Sequence, residues 1–240
     1  IDVGVRNNEI LRLEPRTNMK VNTYWMCDAG RVGQYRYVNT ARVEQPMVNR
    51  GGTQVPVSWA EAFAAVADQL RGIKPQHVAV IGSPYSTNEE NYLLSRFARE
   101  IIGTQNIDFV RHNDPDFADT MLRTADRTPN TRGAVEVGVV PGKGAVGVDR
   151  VVEEIRRGAI KALYVLDQSL ILSEDVASAI AQLDLLVVHA WNHTQIAKLA
   201  HVVFPTSTYA EKEGTFINAA GMVQHFTPAV VTKENERIMG

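Results

Sequence analysis

His77-Val78-Ala79-Val80-Ile81-Gly82-Ser83-Pro84-Tyr85-Ser86-Thr87-Asn88 is the stretch that decides the fold. Its first five residues are a short, almost wholly apolar run, the mark of a strand buried on both faces of a parallel sheet. Residues 82–85 read as loop, and a helix is expected from about Thr87. The apolar stripe of that helix is Leu93, Leu94, Phe97, Ala98, Ile101 and Ile102, and Gly103 stops it. Residues 106–110 return to strand.

Upstream, Ser58-Trp59-Ala60-Glu61 has the form of a capping box: the serine oxygen accepts from a free N–H and the glutamate reaches back. Trp59, Phe63, Val66 and Leu70 then recur at helical spacing, and Gly72 closes the helix as a left-handed cap. Helix, strand, helix and strand in succession predict α/β layering.

The same rhythm returns further along. A helix over 148–157 ends at Gly158, a strand over 162–166 ends at Asp167, and Ser173 caps a helix running to about Gln182. A strand over 184–189, a helix over 192–200 and a strand over 202–205 follow. The tail, 213–226, reads as a hairpin around Ala219-Ala220-Gly221. Residues 111–134 are polar and turn-rich. At the start, Ile1-Val3-Val5 and Ile10-Leu11-Leu13 flank Asn7-Asn8, a hairpin turn pair. The expected fold class is therefore α/β: two Rossmann-like, doubly wound, mostly parallel lobes (53–133 and 134–240, the second with the hairpin) preceded by a small irregular β segment (1–52).

Composition narrows the function classes. The 240 residues are 45% apolar and 22% charged with a net charge of −2, so no broad basic field invites nucleic acid or an anionic membrane. The longest apolar run, 183–191, carries an Asp and a His and is too short to span a bilayer. A single cysteine suits a reducing compartment. The chain opens on Ile1-Asp2-Val3-Gly4-Val5 without an initiator Met and is expected to be a piece of something longer.

Several motifs could carry chemistry. Gly142-Lys143-Gly144-Ala145-Val146-Gly147 is a literal G-x-G-x-x-G, preceded by a strand-like run at 135–140 and followed by a helix. Asp167 stands twenty residues beyond Gly147, at the end of the next expected strand. This is the layout of a dinucleotide-binding βαβ unit, in which glycines admit pyrophosphate to a helix N-terminus and the acid takes the ribose hydroxyl. The alternative is a plain glycine connector. The loops that follow the strands, 82–88, 167–169 and 189–194, are rich in small hydrogen-bonding groups, as a polar cofactor requires. Helix capping by Ser86, Thr87 and Ser173 would use such residues equally well. His189 and His193 straddle a strand end and a helix start, which favours satisfied or exposed histidines over metal ligands. The chain has no Gly-x-Ser-x-Gly and no Walker loop, so no catalytic machinery of its own is expected.

The one cysteine lies in Asn22-Thr23-Tyr24-Trp25-Met26-Cys27-Asp28-Ala29-Gly30-Arg31, which follows neither a helix nor a strand pattern. Either Cys27 is an ordinary thiol or its partners lie off this chain.

Together with Ser58-Trp59-Ala60-Glu61-Ala62, Ser86-Thr87-Asn88-Glu89-Glu90, Gly103-Thr104-Gln105-Asn106-Ile107-Asp108, Pro129-Asn130-Thr131-Arg132-Gly133-Ala134, Ile160-Lys161-Ala162-Leu163-Tyr164-Val165 and Ala210-Glu211-Lys212-Glu213-Gly214-Thr215-Phe216-Ile217-Asn218, the Cys27 segment resembles the molybdopterin oxidoreductase superfamily. Within it, the chain most resembles the molybdopterin-oxidoreductase-like subunit of bacterial NADH-quinone oxidoreductase (complex I). The resemblance implies that Cys27 is the last ligand of a [4Fe-4S] cluster whose first three cysteines lie upstream of Ile1. It assigns Ser83, Asn88, Asp167, Asn192, Thr194, Glu211 and Gly214 to a vestigial pterin crevice. Active members carry a molybdenum-binding Cys, selenocysteine or Ser where this chain has Phe109-Val110-Arg111-His112-Asn113-Asp114. Part of the family's middle is missing between Asp116 and Pro129, and His201 stands where an acid usually precedes the Val-Val strand.

These departures imply structural support of an iron-sulfur electron-transfer arm without molybdenum chemistry of the chain's own, and molybdopterin is not expected. The implied partners are other peripheral-arm subunits of a respiratory complex, at the cytoplasmic side of the inner membrane, with neither nucleic acid nor direct membrane insertion. Two alternatives stand beside this: a fragment of a molybdenum-pterin dehydrogenase of the formate dehydrogenase kind, and an independent NAD-binding protein using Gly142, Gly144, Gly147 and Asp167.

Overall fold

The computed structural model describes residues 1–33, 35–166, 170 and 173–231. In chain order it runs β1 (Asp2–Arg6), β2 (Glu9–Glu14), α1 (Asp28–Gly33), β3 (Met47–Arg50), β4 (Thr53–Pro56), α2 (Trp59–Arg71), β5 (Val78–Gly82) and α3 (Asn88–Arg96). A π-helical extension (Phe97–Ile102) continues α3, and then come β6 (Ile107–Phe109), α4 (Thr131–Glu136), α5 (Val151–Arg156) and β7 (Ala162–Val165). The chain closes with α6 (Glu174–Ile180), β8 (Leu185–Ala190), α7 (Gln195–Leu199), β9 (Val202–Pro205), β10 (Gly214–Ile217) and β11 (Val223–Phe226).

Seven strands form one sheet in the order β4-β3-β9-β8-β7-β5-β6. β9, β8, β7, β5 and β6 are parallel, and the β3–β4 hairpin adds an antiparallel edge. Strands from 53–133 and from 134–240 thus lie side by side, with Val78 opposite Ala162 and Ile81 opposite Val165. Every residue of β5 is buried, which requires a layer on each face.

The two-residue period of a strand sorts the core. Ala79, Ile81, Leu163, Val165, Leu186, Val188 and Val203 face α5, α6 and α7. Their neighbours Val78, Ala162, Leu185, Val187, Val202 and Phe204 face α2, while Val80, Ile107 and Phe109 face α3 and α4. From β5 the chain steps through α3 to β6 on one side. It then returns past β5 to β7 and continues outward to β8 and β9. Its direction therefore reverses between β5 and β7.

Local signals hold where they are strong. Asn7 and Asn8 both adopt positive φ, 51° and 60°, as the β1–β2 turn demands. Ser173 Oγ accepts from Val176 N at 3.2 Å. A full capping box forms at Thr87, whose Oγ1 accepts from Glu90 N at 3.1 Å while Glu90 Oε2 accepts from Thr87 N at 2.8 Å.

Other expectations are corrected. Ser58 Oγ accepts from Glu61 N at 3.2 Å, but the Glu61 carboxylate pairs with Arg50. Gly72 is right-handed at φ −83°, and the left-handed cap is Gly103 at φ 83°. Leu93 and Ile101 are 63% and 75% exposed, because α3 and its extension bury only a narrow stripe that includes Asn91, Leu94, Ser95 and Ala98. Residues 135–140 are not a strand: α4 runs to Glu136 and Gly138 turns at φ 91°. Small residues decide this, since Gly133 and Ala134 are buried, and a Cβ on Gly133 would lie 2.0 Å from both the Asn88 and Asn130 side-chain oxygens. The helix expected over 192–200 starts later, at Gln195, because Asn192 is held by the loop before β3. Gly51-Gly52 proves to be the positive-φ turn of the β3–β4 hairpin, which the short, mixed flanking runs conceal.

Candidate functional site

In an open α/β sheet, ligands bind outside the carboxyl ends of the strands where chain direction reverses. In this protein the loop after β5 forms one wall of that crevice. Asn91, wholly buried on α3, shapes the wall: its Nδ2 donates to Ser83 O at 2.8 Å and Thr87 O at 3.1 Å, and its Oδ1 accepts from Ser83 N at 3.2 Å. Gly82 is required beside it, since a Cβ would stand 2.6 Å from Val139 Cγ1. Ser83 is buried, and its Oγ accepts from Tyr85 N at 3.1 Å.

Asn130, also fully buried, joins this wall to the terminal hairpin. Its Nδ2 donates to Ser86 O at 2.9 Å and its Oδ1 accepts from Ile217 N at 2.8 Å. Asn88 Nδ2 donates to Thr215 Oγ1 at 3.0 Å, and Glu89 accepts from Thr215 N and Oγ1 at 3.0 and 2.7 Å. Burial opposes ionisation of Glu89, but the Thr215 hydroxyl and amide outweigh it and hold the carboxyl below its ordinary range. Gly214 passes so close to Thr87 that a Cβ would lie 2.5 Å from Thr87 Cγ2. Ser83, Asn88 and Gly214 are thereby brought together. Asn88 Oδ1 is buried and has no hydrogen-bond partner among the described residues.

A second group gathers at the ends of β8 and β9. Arg42 and Glu211, 12% and 7% exposed, form a two-pronged pair with contacts of 2.8 Å. Arg42 also donates to Trp191 O at 3.0 Å and Val38 O at 3.0 Å. Glu211 Oε2 further accepts from Thr208 N at 2.7 Å. Asn192 Nδ2 donates to Tyr37 O at 3.1 Å and to Thr40 O, and Thr194 Oγ1 accepts from Ala197 N at 3.4 Å. Glu211 and Lys212 link the two groups: Glu211 reaches Arg42, while Lys212 Nζ donates to both Glu90 oxygens at 2.8 Å. Asp167 lies outside the described residues. Asn91, Asn130 and Arg42 have no distinctive sequence signal: Asn130 and Arg42 are held by partners tens of residues away, and Asn91 by backbone groups of the preceding loop, which any polar helix residue could meet.

The glycine loop is turned inward. Gly142 N donates to Gln105 O at 3.1 Å, Val146 N to Asn106 Oδ1 at 2.9 Å and Val148 N to Asp108 Oδ2 at 3.0 Å. The one anion met by these amides is the buried Asp108 carboxylate, which accepts from Val148 N alone among them, and a Cβ on Gly147 would stand 2.9 Å from it. A helix and a turn, rather than a strand, precede the loop.

Cys27 is half-buried at the turn before α1. Asn22 Nδ2 fixes that turn by donating to Trp25 O at 2.9 Å. Neighbouring Met26 packs on a small separate core of Ile10, Leu13, Val38, Ala210 and Val230. Among the described residues, no group of three His, Cys, Asp or Glu side chains could hold a metal ion. His201 Nδ1 accepts from Leu186 N at 2.8 Å, so the imidazole supplies an acceptor between β8 and β9 that a carboxylate could equally supply. Burial lowers its pKa, consistent with the neutral form that this bond needs. Among the described residues, no helix is long and apolar enough to cross a membrane.

The sequence profile described as Molybdopterin oxidoreductase matches residues 42–131 and 120–238. A Bacillus subtilis (strain 168) protein named "Putative formate dehydrogenase YrhE" is 35% identical over 112 residues, 45% of this chain and 11% of that protein. Two Staphylococcus aureus proteins, from strains USA300 and NCTC 8325, named "Putative formate dehydrogenase SAUSA300_2258" and "Putative formate dehydrogenase SAOUHSC_02582", are 32% identical over 111 residues, again 45% of this chain and 11% of theirs. The aligned part of the chain thus spans 11% of the length of these curated relatives. Their names are those of formate dehydrogenases, whereas the sequence resemblance points to complex I. The chain belongs to the molybdopterin oxidoreductase family.

Proposed function

We propose that this member of the molybdopterin oxidoreductase family is the α/β portion of a formate-dehydrogenase-like enzyme, and that it turns the carboxyl edge of its sheet toward the pterin cofactor. The observation that carries this reading is the reversal of chain direction between β5 and β7, the arrangement beside which open α/β sheets hold ligands, with Ser83 at the carboxyl end of β5. The orphaned, buried Asn88 Oδ1 supports the fit of a polar organic ligand with N–H groups to offer. The donor set fits the metal less well, because the segment 110–114 after β6 contains Arg, His, Asn and Asp but no thiol. The reading therefore assigns this chain hydrogen bonding to the pterin and no protein ligand to molybdenum. When bound, the cofactor supplies redox chemistry at its metal; this chain's groups bind and orient it.

A second reading has its own observation. The half-buried Cys27, fixed at a turn, favours a place beside a [4Fe-4S] cluster in the peripheral arm of a respiratory complex of the complex I kind, with the other arm subunits as partners and without molybdenum. Metal and pterin analysis of the whole polypeptide to which this chain belongs separates the two. Stoichiometric molybdenum with pterin is expected. Iron and sulfide without either would overturn the first reading in favour of the second. The inward-turned glycine loop argues against a nucleotide site, and titration with NADH is expected to show no binding at millimolar concentration.

A further inference from the structure

The terminal hairpin is held to the molecule differently from the central strands of the main sheet. Of β10 only Gly214 is buried, and of β11 no residue is, whereas β5 is buried throughout. Among the described residues, no side chain of 213–226 joins any of the four apolar clusters. The hairpin coheres instead through its own contacts. Its strands pair from Gly214–Phe226 to Ile217–Val223, and the Phe216 ring lies 4.7 Å from that of Phe226. Asn218 Nδ2 donates to Gln224 Oε1 at 3.1 Å, and Asn218 Oδ1 accepts from Met222 N at 2.9 Å.

Its ties to the helices are polar and lie along one edge. Asn218 N donates to Met222 O, so the alternation of an antiparallel pair assigns the ladder bonds to Phe216 with Gln224 and to Gly214 with Phe226. The amides of Thr215 and Ile217 therefore point away from β11. Side chains take them: Thr215 N donates to Glu89 and Ile217 N to Asn130. The Thr215 hydroxyl donates to Glu89 and accepts from Asn88. The two bonds to Glu89 are exposed, and an exposed hydrogen bond exchanges for water at small net cost. Where the ribbon comes nearest to its neighbours it offers glycine, Gly214 on Thr87 and Gly221 on Arg132, so no ribbon side chain interlocks there.

Both legs of the ribbon are pinned at one place. Ala210 O accepts from Ala229 N at 2.8 Å and from Val230 N at 3.0 Å, and Ala210 and Val230 are buried in the small core with Ile10 and Leu13. Glu211 and Lys212 are fixed by Arg42 and Glu90. Thr227 and Pro228, on the other leg, are exposed.

We propose that residues 213–227 are a lid that swings off the starts of α3 and α4 as one ribbon, hinged at Lys212–Glu213 and at Thr227–Pro228. Closed, it covers Asn88, Glu89 and Asn130. Open, it uncovers Asn88 Nδ2, the Glu89 carboxylate and Asn130 Oδ1. Opening breaks the polar ties and leaves the apolar clusters complete, which is the pattern of a local, low-cost transition. The motion follows from the ribbon's own bonds and does not depend on what the crevice binds.

Amide hydrogen exchange of the 240-residue chain, read residue by residue by NMR, tests the lid. Thr215 and Ile217 are expected to be at least about tenfold less protected than the wholly buried Val80 and Val187. Phe216 and Gln224, whose ladder bonds travel with the ribbon, should be at least about threefold better protected than Thr215 and Ile217. Thr215→Val removes the hydroxyl and keeps the shape; it should lower the protection of Ile217 by about three- to tenfold and leave Val80 unchanged. Glu89→Gln keeps an acceptor and loses the charge, for a smaller loss of about two- to fivefold. Circular dichroism establishes that the variants are folded. Protection of Thr215 and Ile217 equal to that of Val80 would overturn the proposal. So would Phe216 and Gln224 no better protected than Thr215 and Ile217, or a loss that reaches Val80 equally in both folded variants.

Discussion

On the face covered by α5, α6 and α7, Ile81, Leu163, Val165, Leu186 and Val188 meet Val151, Ile155, Ile180 and Ile196 in one aliphatic cluster. On the opposite face the same strands present residues to two clusters, with Ile102 and Tyr164 packed against both and His189 hydrogen-bonded to Tyr164. Strand geometry is common to both faces, so the contrast comes from side-chain choice at alternate positions. Continuous β-branched and leucine surface closes tightly against helices. The Tyr164 hydroxyl and His189 Nε2 satisfy each other across the two strands. One face is a continuous aliphatic core, and the other is divided into two clusters with a polar pair where they meet.

The contrast predicts unequal responses. Leu163→Ala, at a fully buried position of the sealed face, should cost about 2–5 kcal/mol in guanidinium unfolding. An acid titration tests the seam next. His189 is held neutral with its pKa lowered from 6.5 to about 4. A lowered histidine pKa means that the unfolded chain binds the extra proton first, so its contribution is complete above about pH 6.5 and is lost as pH falls toward about 4. The loss is at most about 3 kcal/mol. His112 and His201 are also lowered by burial and act in the same direction. The His189 share is therefore the difference between the native chain and His189→Gln, and equal acid sensitivity in the two would remove it. Tyr164→Phe deletes one hydrogen bond at the seam and should cost about 0.5–1.5 kcal/mol. If Tyr164→Phe destabilised the chain as much as Leu163→Ala, the two faces would not differ in the way described.

Much of the element order is legible without the structure. The 77–81 run, the Asn7-Asn8 turn and the caps at Ser58, Thr87 and Ser173 rest on interactions within four residues, which local chemistry determines. The reading fails at 135–140, where the alternation of Val135-Glu136-Val137 suits a strand but the burial of Gly133 and Ala134 imposes a helix. Of the candidate site, Ser83, Asn88 and Gly214 are named through the family resemblance, and the fold brings them together at the end of β5 and the starts of α3 and β10. Asn91, Asn130 and Arg42, which hold these segments in place, are not named by it. An asparagine in a helix or after a proline carries no mark of the three carbonyls or the distant amide that it will meet.

Local pattern and motif suffice for the α/β class, the family, most helices and strands, and the lone thiol at a turn. The packed fold sets the rest: the order of the strands, with its reversal between β5 and β7, and the union of β3 with β9. It also closes the glycine loop on Asp108 and brings Tyr164 to His189 across adjacent strands. The physical reason is shared by all four. A period of two tells that a side chain faces inward but not which strand lies beside it. Loop closure entropy changes so slowly with length that it scarcely ranks the candidates. Only the simultaneous burial of every strand's two faces selects one arrangement.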